Sequence, residues 1–272
     1  MDRAARIVLV GAGNMGGALL SGWLEAGQPG HCIEVVDPGL SDAMRRLCAA
    51  HAVAVTQRAG SEPADILVIA VKPQLMGDVL PGLRGLVGTG TVAVSVAAGT
   101  TVATIAEALF DDAPRVVRAM PNTPALVRKG VTACYATHGV PAARREQVDA
   151  LMRAVGTTVW LDEEAAIDAV TGVSGSGPAY VFHMVEALAA AGRAEGLPDD
   201  TAMALARGTV AGAGALLDAS DEEASTLRTN VTSPNGTTQA GLDVLMAPDG
   251  LTSLLTRTVA AASARARELA KG

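Results

Sequence analysis

The chain has 272 residues, 49% of them apolar, with only two each of Trp, Tyr and Phe and a formal charge of −7. That length supports one large or two modest domains around an aliphatic, alanine-rich core. The acidic balance, with no basic run, argues against a nucleic-acid footprint.

In chain order, Ile7–Val10 is a continuous apolar run ending at glycine, and Asn14–Ala26 has helical spacing. Ile33–Val36, Val53–Val55, Ile66–Val71 and Val92–Val96 are further apolar runs, with helical patterns over Ser41–Ala50 and Thr101–Leu109. Runs apolar on both faces, alternating with helices, predict a mainly parallel sheet covered on both sides. Arg115–Ala119, Val131–Ala136 and Thr158–Leu161 read as additional strands, with Pro141–Val155 helical before the last.

Near Asp162 the pattern changes, and no convincing strand follows. Ala165–Thr171, Pro178–Glu195, Asp200–Leu217, Thr237–Met246 and Gly250–Leu269 all have helical spacing. Ser174-Gly175-Ser176-Gly177-Pro178 breaks or kinks the first of these from the second, with Pro178 suited to a first helical turn. Tyr180–Ala191 is apolar around most of its circumference, which predicts burial in a dimer. The fold class expected is therefore an α/β N-terminal domain over residues 1–162, followed by an all-α domain over 163–272.

Gly11-Ala12-Gly13-Asn14-Met15-Gly16 follows the first strand and opens the first helix, the G-x-G-x-x-G context of a dinucleotide loop. Its glycines allow a tight turn and close approach of a pyrophosphate to the free N–H groups at the helix start. Asp37, at the end of the second strand, follows Gly16 at close to the roughly 20 residues expected of the acidic ribose ligand. A carboxylate there favours NADH, with NADPH also expected to serve; Arg45, Arg46 and Arg58 are candidate counterweights for a 2′-phosphate. Ala70-Val71-Lys72-Pro73-Gln74 ends the fourth strand on the carboxyl edge of the sheet, where open α/β folds bind ligands, and Lys72 is in reach of phosphate or ribose.

No His/Cys cluster has metal-ligand spacing, so no metal is expected. Cys32, Cys48 and Cys134 are odd in number and widely spaced, which suggests reduced thiols and a cytoplasmic setting. The apolar run near the N-terminus is too short for a signal-peptide core, and no run reaches the roughly 18 residues of a membrane span.

Several segments together resemble the pyrroline-5-carboxylate reductase family. They are the glycine loop with Asn14-Met15, Ala70–Gln74, Arg118-Ala119-Met120-Pro121-Asn122-Thr123-Pro124-Ala125, Thr171–Tyr180, and Asn230-Val231-Thr232-Ser233-Pro234-Asn235-Gly236-Thr237-Thr238. The matches run in family order from Ile7 to about Leu245. The resemblance implies a Rossmann-like domain, a helical dimerisation domain, and a homodimer that in the family assembles further into a decamer of five dimers. It also implies hydride transfer from NADH or NADPH to a cyclic imine, giving L-proline. Asn230 would lie by the nicotinamide ribose and Ala98 on the nicotinamide side, with Ser233, Gly236, Thr237 and Thr238 around the substrate. Asn235 departs from a usual glycine, and Gln57 from a usual asparagine. His183 replaces a smaller or apolar residue and is expected in the core or an interface.

The substrate so implied is a five-membered imine ring bearing a carboxylate. Backbone N–H groups at Gly236, Thr237 and Thr238, with the Ser233 hydroxyl, suit the carboxylate because they open a helix at the positive end of its dipole. Thr238 is the candidate catalytic residue, its hydroxyl directed at the ring nitrogen. Two other readings stay open: a reductase of another small imine or β-hydroxyacid, and a non-catalytic dinucleotide sensor.

Overall fold

The computed structural model describes residues 5–270. Its eight strands form one sheet in the order β3-β2-β1-β4-β5-β6-β7-β8. These are β1 (Ile7–Val10), β2 (Ile33–Val36), β3 (Ala54–Thr56), β4 (Ile66–Ile69), β5 (Val92–Ser95), β6 (Val116–Met120), β7 (Gly130–Ala136) and β8 (Gly156–Leu161). All neighbouring strands pair in parallel except β6 with β7, which are antiparallel. The mainly parallel Rossmann-like sheet is thus as the apolar runs predicted.

Alternation along each strand feeds two cores. Ile7 and Leu9 face one layer, packed with Leu19, Leu20 and Trp23 of α1 (Asn14–Glu25). Val8 and Val10 face the other, with Leu67, Ile69 and Ile105. Side chains two apart share a face, so a strand buried on both sides reads as a near-continuous apolar run. Trp23 is fully buried and its Nε1–H donates to the Leu151 carbonyl at 2.9 Å, which satisfies the one polar atom it carries inside.

The helices of this layer are α2 (Asp42–Ala50), α3 (Met76–Val79), α4 (Val102–Leu109), α5 (Ala142–Arg153) and α6 (Ala166–Val170). Residues 73–86 carry no element in the sequence reading. Here they form 3-10 turns at Pro73–Leu75 and Leu80–Leu86 flanking α3, and they are the crossover that a parallel β4–β5 pair requires. Gly77, Pro81, Gly82 and Gly85 break the helical period, which hid the buried Met76, Leu80, Leu83 and Leu86.

The chain divides into two compact units. One runs through Gly175 and takes up the chain end from Ala262; the other is Ser176–Ala261. In the second lie α7 (Gly177–Ala194), α8 (Asp199–Asp218), α9 (Ala224–Asn230), α10 (Thr237–Leu245) and most of α11 (Leu251–Leu269). Between α6 and α7 the backbone does not stop: Thr171–Gly175 forms a wide π turn, and Pro178 sits in the first turn of α7. Helix α9 was not read from the sequence, because Ala224–Asn230 is mostly polar. Asn230 ends α9 and Thr237 starts α10, as the helical spacing from Thr237 predicted, so the loop between them is residues 231–236.

Within the helical unit, only Ala189, Ala202 and Ala206 form a buried cluster, where α7 meets α8. Val181, Phe182, Met184 and Leu188 of α7, Leu205 and Leu216 of α8 and Val244 of α10 are exposed in the isolated chain. So many open apolar side chains mark a surface built to be covered. His183 is 79% exposed and pairs with Glu186, so on a single chain it is a surface residue rather than a core one.

Candidate active site

The carboxyl edge of the sheet holds a cleft of about 710 Å³. It opens where the crossovers leave β1 to opposite sides, the place at which an open α/β sheet forms a crevice. Its lining includes Gly11 and Gly13 after β1, Asp37 and Gly39 after β2, Gln57 and Arg58 after β3, and Ala70 and Lys72 after β4.

Local geometry explains the glycines. Gly11 has φ +84°, and a Cβ on it would come 2.9 Å from the Ala70 carbonyl oxygen. At Gly16 the added carbon would stand 2.0 Å from the Gly11 carbonyl oxygen, so only glycine lets the first turn of α1 return onto the loop. Gly13 has nothing within 4 Å and is exposed at the N-cap of α1, with no side chain bonded to that helix start. The open cradle and the uncapped amides above it fit a dinucleotide pyrophosphate. Asn14 is exposed at the first position of α1, while Met15 is half-buried against the core beneath.

Asp37 is more constrained than a free ribose ligand. Its Oδ2 accepts the Ala12 N–H at 2.8 Å and its Oδ1 accepts the Gly39 N–H at 2.7 Å. The carboxylate therefore organises the glycine loop and the turn after β2, and a lone pair on each oxygen is left for a ligand. Of the three arginines considered as counterweights, Arg58 lines the cleft, whereas Arg45 donates its Nε–H to the Leu40 carbonyl. Lys72 precedes the 3-10 turn that Pro73 begins. An apolar wall of Leu75, Val79 and Leu83 completes the cleft, and it belongs to the crossover that the sequence reading left unassigned. Leu75, Val79 and Leu83 are four apart, a spacing masked by Gly77, Pro81 and Gly82 between them.

Further along the same edge, Ala98 lies half-buried in the loop between β5 and α4. The Ala97 N–H donates to Ser95 Oγ at 3.3 Å. Arg118 of β6 is only 5% exposed and gives its Nη1–H to Glu164 Oε1 at 2.7 Å. That same oxygen accepts the N–H of Val102, the first residue of α4, at 2.8 Å. Asn122 accepts the Val131 N–H at 2.9 Å and donates to the Ser174 carbonyl in the π turn at 3.2 Å. None of Arg118, Asn122 and Glu164 was assigned a role from the sequence.

The other candidate residues lie in the helical unit. Helix α10 opens at Thr237 after Gly236, whose extended backbone (φ −85°, ψ 176°) serves as the cap without any side-chain bond. The first-turn amides of α10 have no carbonyl within their own helix to bond. Ser233 turns the chain through its carbonyl, which accepts the Gly236 N–H at 3.0 Å. Asn235 has φ +59°, the left-handed conformation that asparagine tolerates better than most residues, so the loop keeps its turn without a glycine there. Ser233, Thr237 and Thr238 are exposed, and the Asn230 amide reaches Glu222 Oε2 at 3.3 Å.

Among the described residues no group of three or more His, Cys, Asp or Glu side chains could hold a metal ion, and no helix is long and apolar enough to cross a membrane.

Comparison with known proteins bears on both units. Residues 164–269 match the model of pyrroline-5-carboxylate reductase dimerisation, and residues 6–99 match that of NADP oxidoreductase, coenzyme F420-dependent. A pyrroline-5-carboxylate reductase of Pseudomonas aeruginosa is 41% identical over 98% of this chain and 97% of its own length. One from Mycobacterium tuberculosis is 39% identical over 97% of each. Among solved structures, a pyrroline-5-carboxylate reductase from Coxiella burnetii superposes with a TM-score of 0.92 at 36% identity, covering 99% of this chain and 100% of that one. A Plasmodium falciparum pyrroline carboxylate reductase with NADP bound gives 0.80 at 25% identity over 98% of both.

Proposed function

The chain belongs to the pyrroline-5-carboxylate reductase family, and from that premise we propose which of its residues carry the reaction. The protein is an NAD(P)-dependent oxidoreductase that reduces the C=N bond of 1-pyrroline-5-carboxylate to give L-proline, the last step of proline biosynthesis. When bound, NADH or NADPH supplies the hydride.

Gly11, Gly13, Asn14, Met15 and Gly16 hold the pyrophosphate in this reading. Asp37 faces the adenosine ribose, and Ala70, Lys72 and Pro73 line the next stretch of the dinucleotide. Ala98 and Asn230 border the nicotinamide end. The reading is supported by the open Gly13 cradle and by Gly11, Gly13, Asp37, Ala70 and Lys72, which line one cleft.

The substrate carboxylate is held by Ser233 and by the Gly236, Thr237 and Thr238 amides. The observation that carries this is the start of α10, whose first turn no side chain caps. Neutral donors suit an anion that must leave with the product, since they hold it less firmly than a buried arginine pair. The Thr238 hydroxyl hydrogen-bonds the ring nitrogen: its oxygen accepts the N–H of the protonated imine and orients the ring, and its O–H is placed to donate to the lone pair that forms on nitrogen as hydride reaches the imine carbon. A protonated imine is already electrophilic, so orientation supplies most of the rate and no strong side-chain acid is needed.

A homodimer, assembling further as five dimers, is the proposed working form, and three free cysteines support a cytoplasmic setting. Following NAD(P)H absorbance with pyrroline-5-carboxylate added tests the activity. A folded protein that consumes neither cofactor at any pH would leave a dinucleotide sensor as the better reading.

A further inference from the structure

The loop from Val96 to Thr101 is tethered at both ends. At its start, the Val96 N–H bonds the Ile69 carbonyl at 3.1 Å and the Ala97 N–H reaches Ser95 Oγ at 3.3 Å. At its end, the Val102 N–H is one of the donors that a helix start leaves unsatisfied. Its acceptor comes from far along the chain: Glu164 Oε1, in the turn between β8 and α6, at 2.8 Å. The same oxygen takes the Nη1–H of Arg118 at 2.7 Å.

Side-chain exposure separates the two partners. Arg118 is 6% exposed and Glu164 30%. A guanidinium buried on β6, an interior strand, fixes the carboxylate, and the fixed carboxylate fixes the backbone of α4. Thr101 caps that helix with its own hydroxyl, which accepts the Thr104 N–H at 3.2 Å. The helix therefore has a local cap, and Glu164 is not needed merely to start it. What the carboxylate adds is a link between the β5–α4 loop and the turn that leads into α6.

We propose that Glu164, oriented by Arg118, is a positioning residue for the nicotinamide end of the cofactor, acting through the Val102 amide on the loop that carries Ala98. This rests on the reading above that the loop borders the nicotinamide. It assigns no contact between Glu164 and the reacting atoms.

The test compares two probes: NADH, which spans both ends of the site, and ADP-ribose, which lacks the nicotinamide. Titration calorimetry on the full protein gives Kd for each with wild type, Glu164→Ala, Glu164→Gln and Ala98→Leu. In Glu164→Ala, NADH is expected to weaken by about tenfold, the scale of one lost charge-assisted hydrogen bond, with ADP-ribose within about twofold of wild type. Glu164→Gln keeps an oxygen acceptor for Val102 and is expected to recover part of that loss. It also serves as the test variant should Glu164→Ala not fold.

Equal weakening of both probes means a general structural role and overturns the proposal, as does no change in either. Ala98→Leu separates the two levels of the argument. It should weaken NADH and spare ADP-ribose. If it spares both, the loop does not border the nicotinamide and the proposal falls with that reading. If it weakens NADH while the Glu164 variants do not, the loop reading stands and the role of Glu164 alone fails.

Discussion

The Oδ2 atom of Asp37 accepts the backbone N–H of Ala12 at 2.8 Å, so the acid that ends β2 holds the glycine loop that follows β1. Its other oxygen is bonded to the Gly39 amide. Two amides offset part of the carboxylate charge, which weakens the repulsion that would otherwise exclude a 2′-phosphate. Preference between the dinucleotides then depends on what else faces the ribose, and Arg58 is the arginine that lines the cleft.

Replacing Arg58 with Ala is expected to raise KM for NADPH by about tenfold, with KM for NADH nearly unchanged, because a guanidinium pairs with phosphate and has no such partner on a bare ribose. Steady-state kinetics with both cofactors measures it. Equal effects on the two would remove Arg58 from 2′-phosphate recognition.

On the role proposed for Thr238, Thr238→Ala should lower kcat/KM by about tenfold to a thousandfold, the range for a lost orienting or proton-holding group. The exposed side chain caps no helix, so folding and cofactor affinity should be retained. Kinetics paired with NADH titration checks both halves; a Thr238→Ala enzyme with wild-type kinetics would rule the hydroxyl out.

Phe182 of α7 is 65% exposed, among Val181, Met184 and Leu188, which are also open on the single chain. If this face is the one that a second copy covers, as proposed, a charge placed there must be desolvated on assembly. Phe182→Asp is expected to shift the protein to monomer in light scattering and to cost most of the activity. A stable, active dimer of this variant would move the interface elsewhere.

Asp149 anchors α5 to β8. Burial pushes its pKa up, but hydrogen bonds from Thr158, Arg153 and Trp160 outweigh that and hold it below the usual carboxylate range. A carboxyl group depressed on folding stabilises the native state above its unfolded pKa of about 3.9, and that stability is lost as pH falls through the lower folded value. Asp149→Asn should therefore lower Tm at pH 7, with the gap from wild type closing as the pH drops below about 4. Thermal melts across that range decide it; a gap independent of pH would mean the loss is not ionic.

Much of this molecule is readable in one dimension. Strands β1 and β4 are apolar at every position, and β5 at all but its last residue, Ser95, because both faces are buried, and that pattern survives without any knowledge of neighbours. The glycine loop is equally legible, since a backbone that turns this tightly leaves no room for a side chain at Gly11 or Gly16. Helix α9 and the crossover at 73–86 escaped for the opposite reason: one is polar and the other is broken by glycine and proline, so neither has a clean period.

What tertiary structure alone decided are the pairings. Nothing near Arg118 in the chain says that its partner is Glu164, or that the same carboxylate oxygen also takes the Val102 amide. Asp37 is a related case: its spacing predicts a ribose ligand, and only the fold shows that it also accepts from two backbone amides. Local sequence encodes the conformations that sterics and burial impose on each segment. Which distant donor meets which acceptor depends on how the sheet and its loops stack, and that is a property of the folded chain.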